Sequence, residues 1–174
     1  PNVTDKSVGW TFTVNDALLD SLQKDQTLTQ QYDVTVNDGH GGTATQTITI
    51  TIVGTNDVPA ISSKVQSATI TEVSDLAAGE NTLLHSATGA VTFTDVDTLD
   101  THTATVMPKA GNYLGALTLD PSDVPNVTDK SVGWTFSVND ALLDSLQKDQ
   151  TLTQQYDVTV NDGHGGTATQ TITI

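Results

Sequence analysis

Tyr156-Asp-Val-Thr-Val-Asn-Asp-Gly-His-Gly-Gly-Thr-Ala-Thr-Gln-Thr-Ile-Thr-Ile174 reads as a strand, a turn and a second strand. Tyr156, Val158 and Val160 alternate with polar neighbours, as Ile172 and Ile174 do with Thr171 and Thr173. A period of two places each set on its own face of a pleated strand. Between them, Asn161-Asp162-Gly163-His164-Gly165-Gly166 supplies the turn residues of a hairpin. Gly-His-Gly-Gly has no nucleophile beside it in a strand-to-helix elbow, so the hairpin reading takes precedence over a hydrolase motif. Composition carries the same message along the whole chain, since 32 of 174 residues are Thr and none is Cys. β-branched residues suit a half-buried pleated surface and are mediocre in helices. The chain reads as all-β.

The hairpin also occurs earlier, because Pro1–Ile50 returns as Pro125–Ile174 at an offset of 124 residues with one difference, Thr13 against Ser137. Near-identity over that length signals a tandem array. The first copy continues through Thr51-Ile-Val-Gly-Thr-Asn-Asp57, which puts a natural boundary near Gly54. Residues 1–53 are therefore expected to be the C-terminal part of a preceding repeat with its strands E to G, 54–59 an interdomain linker, and 60–174 one complete repeat. Within the complete repeat, alternation and turn residues predict strands near 67–73, 89–94, 101–107, 115–119, 131–138, 153–160 and 167–174. Asn139-Asp140 ahead of Ala-Leu-Leu-Asp-Ser-Leu-Gln predicts one short helix between strands E and F, with Leu142, Leu143 and Leu146 on its apolar side. Seven short strands at this spacing predict an Ig-like β-sandwich, with Phe93, Trp134, Phe136, Tyr156, Val158, Val160 and Ile172 in its core. Residues 1–50 hold only half of such a core. A swapped or symmetry-related chain is the expected complement.

Charge narrows the functions. Against 21 Asp and Glu stand six Lys and no Arg, a formal net charge of −15. Without Arg there is no bidentate phosphate or guanine contact, so nucleic acid is not an expected partner. The apolar runs fall far short of the roughly 20 residues that cross a bilayer, and direct membrane insertion is not expected. The absence of Cys removes disulfides, thiolates and Cys-ligated zinc. An acidic excess serves solubility on any reading. Its placement adds a second meaning.

In a seven-strand sandwich successive loops alternate between two poles. The loop after the second strand carries Asp95, Asp97 and Asp100, the last hairpin turn carries Asp162, and the incoming linker carries Asn56 and Asp57. All three segments belong to the pole where the domain begins. Calcium takes six to eight oxygen ligands, including carboxylates, amide oxygens and backbone carbonyls, whereas magnesium demands near-ideal octahedral geometry. The expected cofactor is Ca²⁺. Asp and Asn also populate turns by bonding local backbone, and that alternative stays open for each residue taken singly.

Phe-Thr-Asp-Val-Asp-Thr-Leu-Asp at 93–100, Asn-Asp-Gly-His-Gly-Gly-Thr-Ala-Thr at 161–169, Gly-Thr-Asn-Asp-Val-Pro at 54–59 and the Ala-Leu-Leu-Asp-Ser-Leu segment together span the repeat. They resemble the VCBS or bacterial cadherin-like repeats of giant RTX adhesins. The resemblance implies tandem Ig-like, cadherin-like extender domains on the bacterial cell surface. It also implies calcium-rigidified linkers, neighbouring repeats of the same chain as partners, and export by type I secretion. It implies Asp95, Asp97 and Asp100 as the Asp-x-Asp-x-x-Asp loop and Asn56 and Asp57 as linker ligands. Glu72, near the end of the first strand, would serve the far pole. Asp16 and its copy Asp140, with Asp20 and Asp144, lie toward that same pole, where helix N-capping is the other reading for Asp16 and Asp140. Asp38 and Asp162 have the Gly-rich turn itself as an alternative role.

No Ser-His-Asp order, phosphate loop or metal-hydrolase His pair stands out, and the chain reads as non-catalytic. Asn2-Val-Thr and Asn126-Val-Thr match a glycosylation sequon, which the bacterial resemblance makes coincidental. The alternative function is a ligand-binding adhesion module whose Thr-rich strand faces or pole loops hold a sugar or a surface. The spacer reading is favoured because near-identical repeats supply number and not variety.

Overall fold

The computed structural model describes residues 6–109, 111, 113–121 and 130–174, and both sequons lie outside them. The chain forms two compact units, Pro1–Thr55 and Asn56–Ile174.

In the first unit, β1 (Thr27–Asn37) and β2 (Thr43–Val53) form an antiparallel hairpin running from the Thr27↔Val53 pair to Asn37↔Thr43. A one-turn 3-10 helix, Asp16–Leu18, is capped by the Asn15 side chain, which accepts from the Ala17 N–H. Residues 6–15 form no strand, although 8–14 belong to the expected strand E of the first copy. Strand formation here is a property of neighbours, as the second unit demonstrates.

The second unit contains β3 (Ala60–Ile61), β4 (Gln66–Ser67), β5 (Leu84–Thr94), β6 (Thr103–Pro108), β7 (Ala116–Leu119), β8 (Ser131–Asn139), β9 (Gln155–Asn161) and β10 (Thr167–Thr173). They form two four-stranded sheets, β3-β5-β8-β7 and β4-β10-β9-β6. Every pairing is antiparallel except β4 with β10. β3 and β4 are two pieces of one first strand that crosses between the sheets. At the crossing the Ser62 and Ser63 N–H groups both donate to the Thr92 carbonyl, and the Ser63 hydroxyl reaches Gln170 on the other sheet at 2.6 Å. Counted as one, they make this an Ig-like, cadherin-like sandwich of seven strands.

The expectation of a continuous first strand at 67–73 is corrected. β10 ends at Thr173, Ala68 N–H donates to the Thr173 carbonyl, and Val73 N–H goes to the Asp140 carboxylate. Residues 69–73 form no strand. The short helix is also corrected in kind, to a single 3-10 turn over Asp140–Leu142 capped by Asn139. That turn buries Leu143 and leaves Leu142 exposed.

The seven residues expected in the core are all buried, joined by Val91, Ala104, Leu117, Leu119, Val132 and Val138. Trp134 shows how close the fit is. It pairs across the ladder with Gly89, where a Cβ would lie 2.5 Å from its ring. Its indole N–H donates to Gln66 Oε1 at 2.6 Å, and the Gln66 amide donates onward to the Ala90 carbonyl. Trp134 is 4% exposed, while its copy Trp10 is 56% exposed. The surrounding sequence is the same, so burial by β5 and β7 makes the difference.

Candidate cation site

The loop from β5 to β6 and the turn from β9 to β10 meet at the pole where Asn56 and Asp57 enter the second unit. Asp97 N–H donates to Asp95 Oδ1 at 3.0 Å and Asp100 N–H to the Asp97 carbonyl, which curls the first loop into consecutive turns. In the second, Asp162 Oδ1 accepts from the His164 and Gly166 N–H groups at 2.7 and 2.9 Å. Gly163 (φ +81) and Gly165 (φ +108) provide the left-handed conformations that this turn needs.

The entering segment is stitched to both loops. Asp57 N–H donates to Asp97 Oδ2 at 2.8 Å, and the Asn56 amide donates to Asp162 Oδ2 at 2.9 Å. The side chains of Asp95 and Asp100 are fully buried, as are Asp97 and Asp162. Asp95, Asp100 and Asp162 each present a carboxylate oxygen, all within 4.8 Å of one another, an arrangement that can hold a metal ion. Two ionised carboxylates at that separation repel by roughly 3–4 kcal/mol at an effective dielectric constant near 20.

Two further oxygens fit a cation. Asn56 Oδ1 and Asp97 Oδ1 are buried without a hydrogen-bond partner. Such atoms are costly in a folded protein unless something else meets them. An all-oxygen donor set of carboxylates and a carboxamide suits a hard cation of the calcium type.

The three histidines of this unit, which the sequence leaves at unrelated positions, each pair with a carboxylate. His102 is fully buried, with Nε2 2.7 Å from Asp95 Oδ2 and Nδ1 3.3 Å from the Lys130 ammonium. The Lys130 ammonium also lies 3.5 Å from Nε2, and the buried imidazole, set against Asp95, orients that carboxylate. The His102 ring lies 4.9 Å from the Phe93 ring, centroid to centroid. His164 Nδ1 lies 3.0 Å from Asp100 Oδ2. A signal for His102 was present, because it shares the inward phase of β6 with buried Ala104.

Burial raises the Asp162 carboxyl, but the Asn56 amide and the His164, Gly166 and Gly165 N–H groups outweigh it. The group titrates below the ordinary carboxylate range. A Cβ on Gly166 would meet Asp162 Oδ2 at 2.0 Å and Val58 Cγ1 at 2.9 Å. Gly166→Ala must therefore push Asp162 away from Asn56, at an expected cost of about 1–3 kcal/mol. Thermal melting of the variant beside the wild type checks this.

The remaining candidates lie elsewhere. β5 spans its eleven residues at roughly 3.3 Å per residue, so its start and end mark opposite poles. Asp140 lies at the start, buried, with Oδ1 accepting from Val73 N–H at 2.9 Å and lying 2.7 Å from His85 Nε2. Its Oδ2 accepts from Asn81 N–H at 3.1 Å. Asp140 is thus a hub that ties the 73–81 loop to the 3-10 turn, and Glu72 neighbours that loop. Neither joins the Asp95 group. The N-cap of the turn is Asn139, and in the first unit Asn15, so capping falls to the residue before Asp140 and before Asp16. Asp16 is the exposed first residue of its turn. Asp38 repeats the turn geometry of Asp162, accepting from His40 and Gly42 N–H groups, and is exposed.

The His85 contact, then the Val73 N–H, hold the Asp140 carboxyl below its ordinary value against the effect of burial, and the Asn81 N–H adds to them. A depressed folded-state value means stability that is complete above the unfolded value, about 3.9, and lost as pH falls through the lower folded value. The urea midpoint of the wild type is expected to fall steeply below about pH 4. Asp140→Ala should lower the midpoint at neutral pH and flatten that acid limb, whereas parallel curves would remove Asp140 from the account.

Among the described residues no helix is long and apolar enough to cross a membrane. No protein-family model matches the chain, and no curated protein matches it in sequence. Among solved structures it is similar to that of mouse clustered PcdhgC3 EC1-3, with 15% identity and a TM-score of 0.44 over 92% of this chain and 45% of that one. The chain spans less than half the length of the structure it matches.

Proposed function

We propose that the pole of the second unit holds calcium and that the chain is a calcium-stiffened extender from the stalk of a bacterial surface adhesin, projecting a distal ligand-binding region away from the cell. The observation that carries this reading is the pair of buried, unpartnered oxygens, Asn56 Oδ1 and Asp97 Oδ1, beside three converging carboxylates. Asp95, Asp97, Asp100, Asp162 and Asn56 would hold the ion, with Asp57 beside them. A calcium ion held there would supply the positive charge that turns the mutual repulsion of these carboxylates into attraction to a shared ion.

The chain's own groups do the rest. Asp97 and Asp162 anchor the backbone of Asp57 and the side chain of Asn56, so ordering the pole also orders the segment that arrives there. His102 and His164 orient Asp95 and Asp100. The partners are neighbouring repeats of the same chain, the setting is outside the cell where calcium is plentiful, and the role is non-catalytic. In low calcium the acidic pole loosens, which suits export of an unfolded chain. Small-angle scattering of the tandem tests the reading: chelation should broaden the distribution of overall dimensions, and superimposable profiles with and without calcium would contradict it.

A further inference from the structure

Lys130, the residue before β8, carries its charge to the edge of the acidic pole. Its Nζ lies 3.3 Å from His102 Nδ1, 3.5 Å from His102 Nε2 and 5.7 Å from the centroid of the Phe93 ring, so imidazole and phenyl form a seat for the cation. His102 Nε2 is in turn 2.7 Å from Asp95 Oδ2. These two short legs put the ammonium within about 6 Å of that carboxylate, a range over which charges act on one another through a protein. The backbone fixes the seat as well. Lys130 has φ +57, a left-handed conformation uncommon for a non-glycine residue, and its carbonyl accepts from the Phe93 N–H at 3.0 Å, at the end of the strand that leads into the Asp95 loop. Such strain persists where the surrounding structure over-determines it, and it gathers at functional sites. Lys109 gives the contrast, because it follows the other end of β6 and spends its charge on Asp157 at 3.2 Å.

We propose that Lys130 is a built-in brake on the cation site, a fixed positive charge that sets calcium affinity low. The inference rests on the calcium reading of the pole and names how affinity is regulated there. Without the ion, carboxylate oxygens of Asp95, Asp100 and Asp162 lie within 4.8 Å of one another, and an ammonium seated beside His102 offsets part of their mutual repulsion. With a dication bound, the same ammonium faces a charge of its own sign. Both effects narrow the free-energy gap between the ion-free and the ion-bound pole, and that gap is the binding affinity. An ammonium has donors and no acceptor, so Lys130 cannot be a ligand and acts through distance alone. The consequence is a pole that tolerates the absence of calcium and fills only where calcium is plentiful.

The test measures calcium binding by titration calorimetry, and melting with and without calcium, for the full chain and its Lys130→Met, Lys130→Arg and Lys109→Met variants. Lys130→Met keeps the reach of the side chain and removes its charge. The expected result is calcium affinity at least about fivefold tighter, with a lower melting temperature without calcium and a larger rise when calcium is added. Lys130→Arg keeps a charge that also stacks on aromatic rings, and its affinity should stay within about twofold of the wild type. Lys109→Met makes the same change in net charge away from the pole and should leave affinity unchanged. A merely structural role for Lys130 would lower both melting temperatures together and weaken binding. Unchanged or weaker binding in Lys130→Met, or equal tightening in Lys109→Met, overturns the proposal and leaves the calcium reading standing. Absence of binding by the wild type at millimolar calcium removes the calcium reading itself, and the brake with it.

Discussion

Replacing Trp134 by Ala is expected to lower the stability of the second unit by about 3–5 kcal/mol, while the same change at Trp10 moves stability by no more than about 0.5 kcal/mol. The two residues sit in the same local sequence. Trp134 is held between Gly89 of its own sheet and Gln66 of the other, so its loss leaves a cavity and an unpaired Gln66 oxygen. Trp10 is more than half exposed and has little to lose. For a unit of this size the Trp134 change corresponds to roughly 12–20 °C in melting temperature, a large part of a typical stability margin of 5–15 kcal/mol. Differential scanning calorimetry of the two variants decides the matter. Equal shifts would mean that residues 6–15 are packed as β8 is.

The second large effect concerns the cation. A ligand that binds only the folded state adds RT ln(1 + [L]/Kd), about 2.7 kcal/mol per site at a hundredfold excess over Kd, or roughly 10 °C here. Chelation should lower the melting temperature of the second unit by that amount. The sign follows from the pole itself, where buried carboxylates crowd within 4.8 Å and two oxygens lack partners. Adding back calcium should restore the transition. Magnesium at the same concentration should restore less of it, because its octahedral preference and tightly held waters fit a set of five fixed side chains poorly. Full recovery with magnesium, or with sodium at equal ionic strength, would reduce the site to charge screening.

Much of this was legible in residue order. The alternation in Tyr156–Asn161 and Thr167–Ile174 gave the hairpin and its inward face, and alternation of loops between poles brought Asp95, Asp97, Asp100, Asp162 and Asn56 to one place. What the pattern lacked was context. Val8–Val14 and Val132–Val138 share their alternation, yet only the second is a strand, because strand identity at β8 is conferred by β5 and β7 on either side. The first strand splits because Ser62 and Ser63 cross between sheets, and it stops short of Val73, whose N–H is drawn to Asp140, a side chain 67 residues away in sequence. The same long reach hid the histidine pairs. His164 meets Asp100 across 64 positions and His85 meets Asp140 across 55. Asp140 itself, read as a ligand or a cap, spends both oxygens on loop donors and on His85.

The most direct measurement of the central claim is a calcium titration by calorimetry of the full chain and of Asp97→Asn, which keeps the side chain's size and removes its charge. The account predicts saturable binding in the wild type and loss or marked weakening of it in the variant, with the β-sheet circular dichroism of both proteins alike. Identical isotherms for the two proteins, or no binding by the wild type at millimolar calcium, would contradict it.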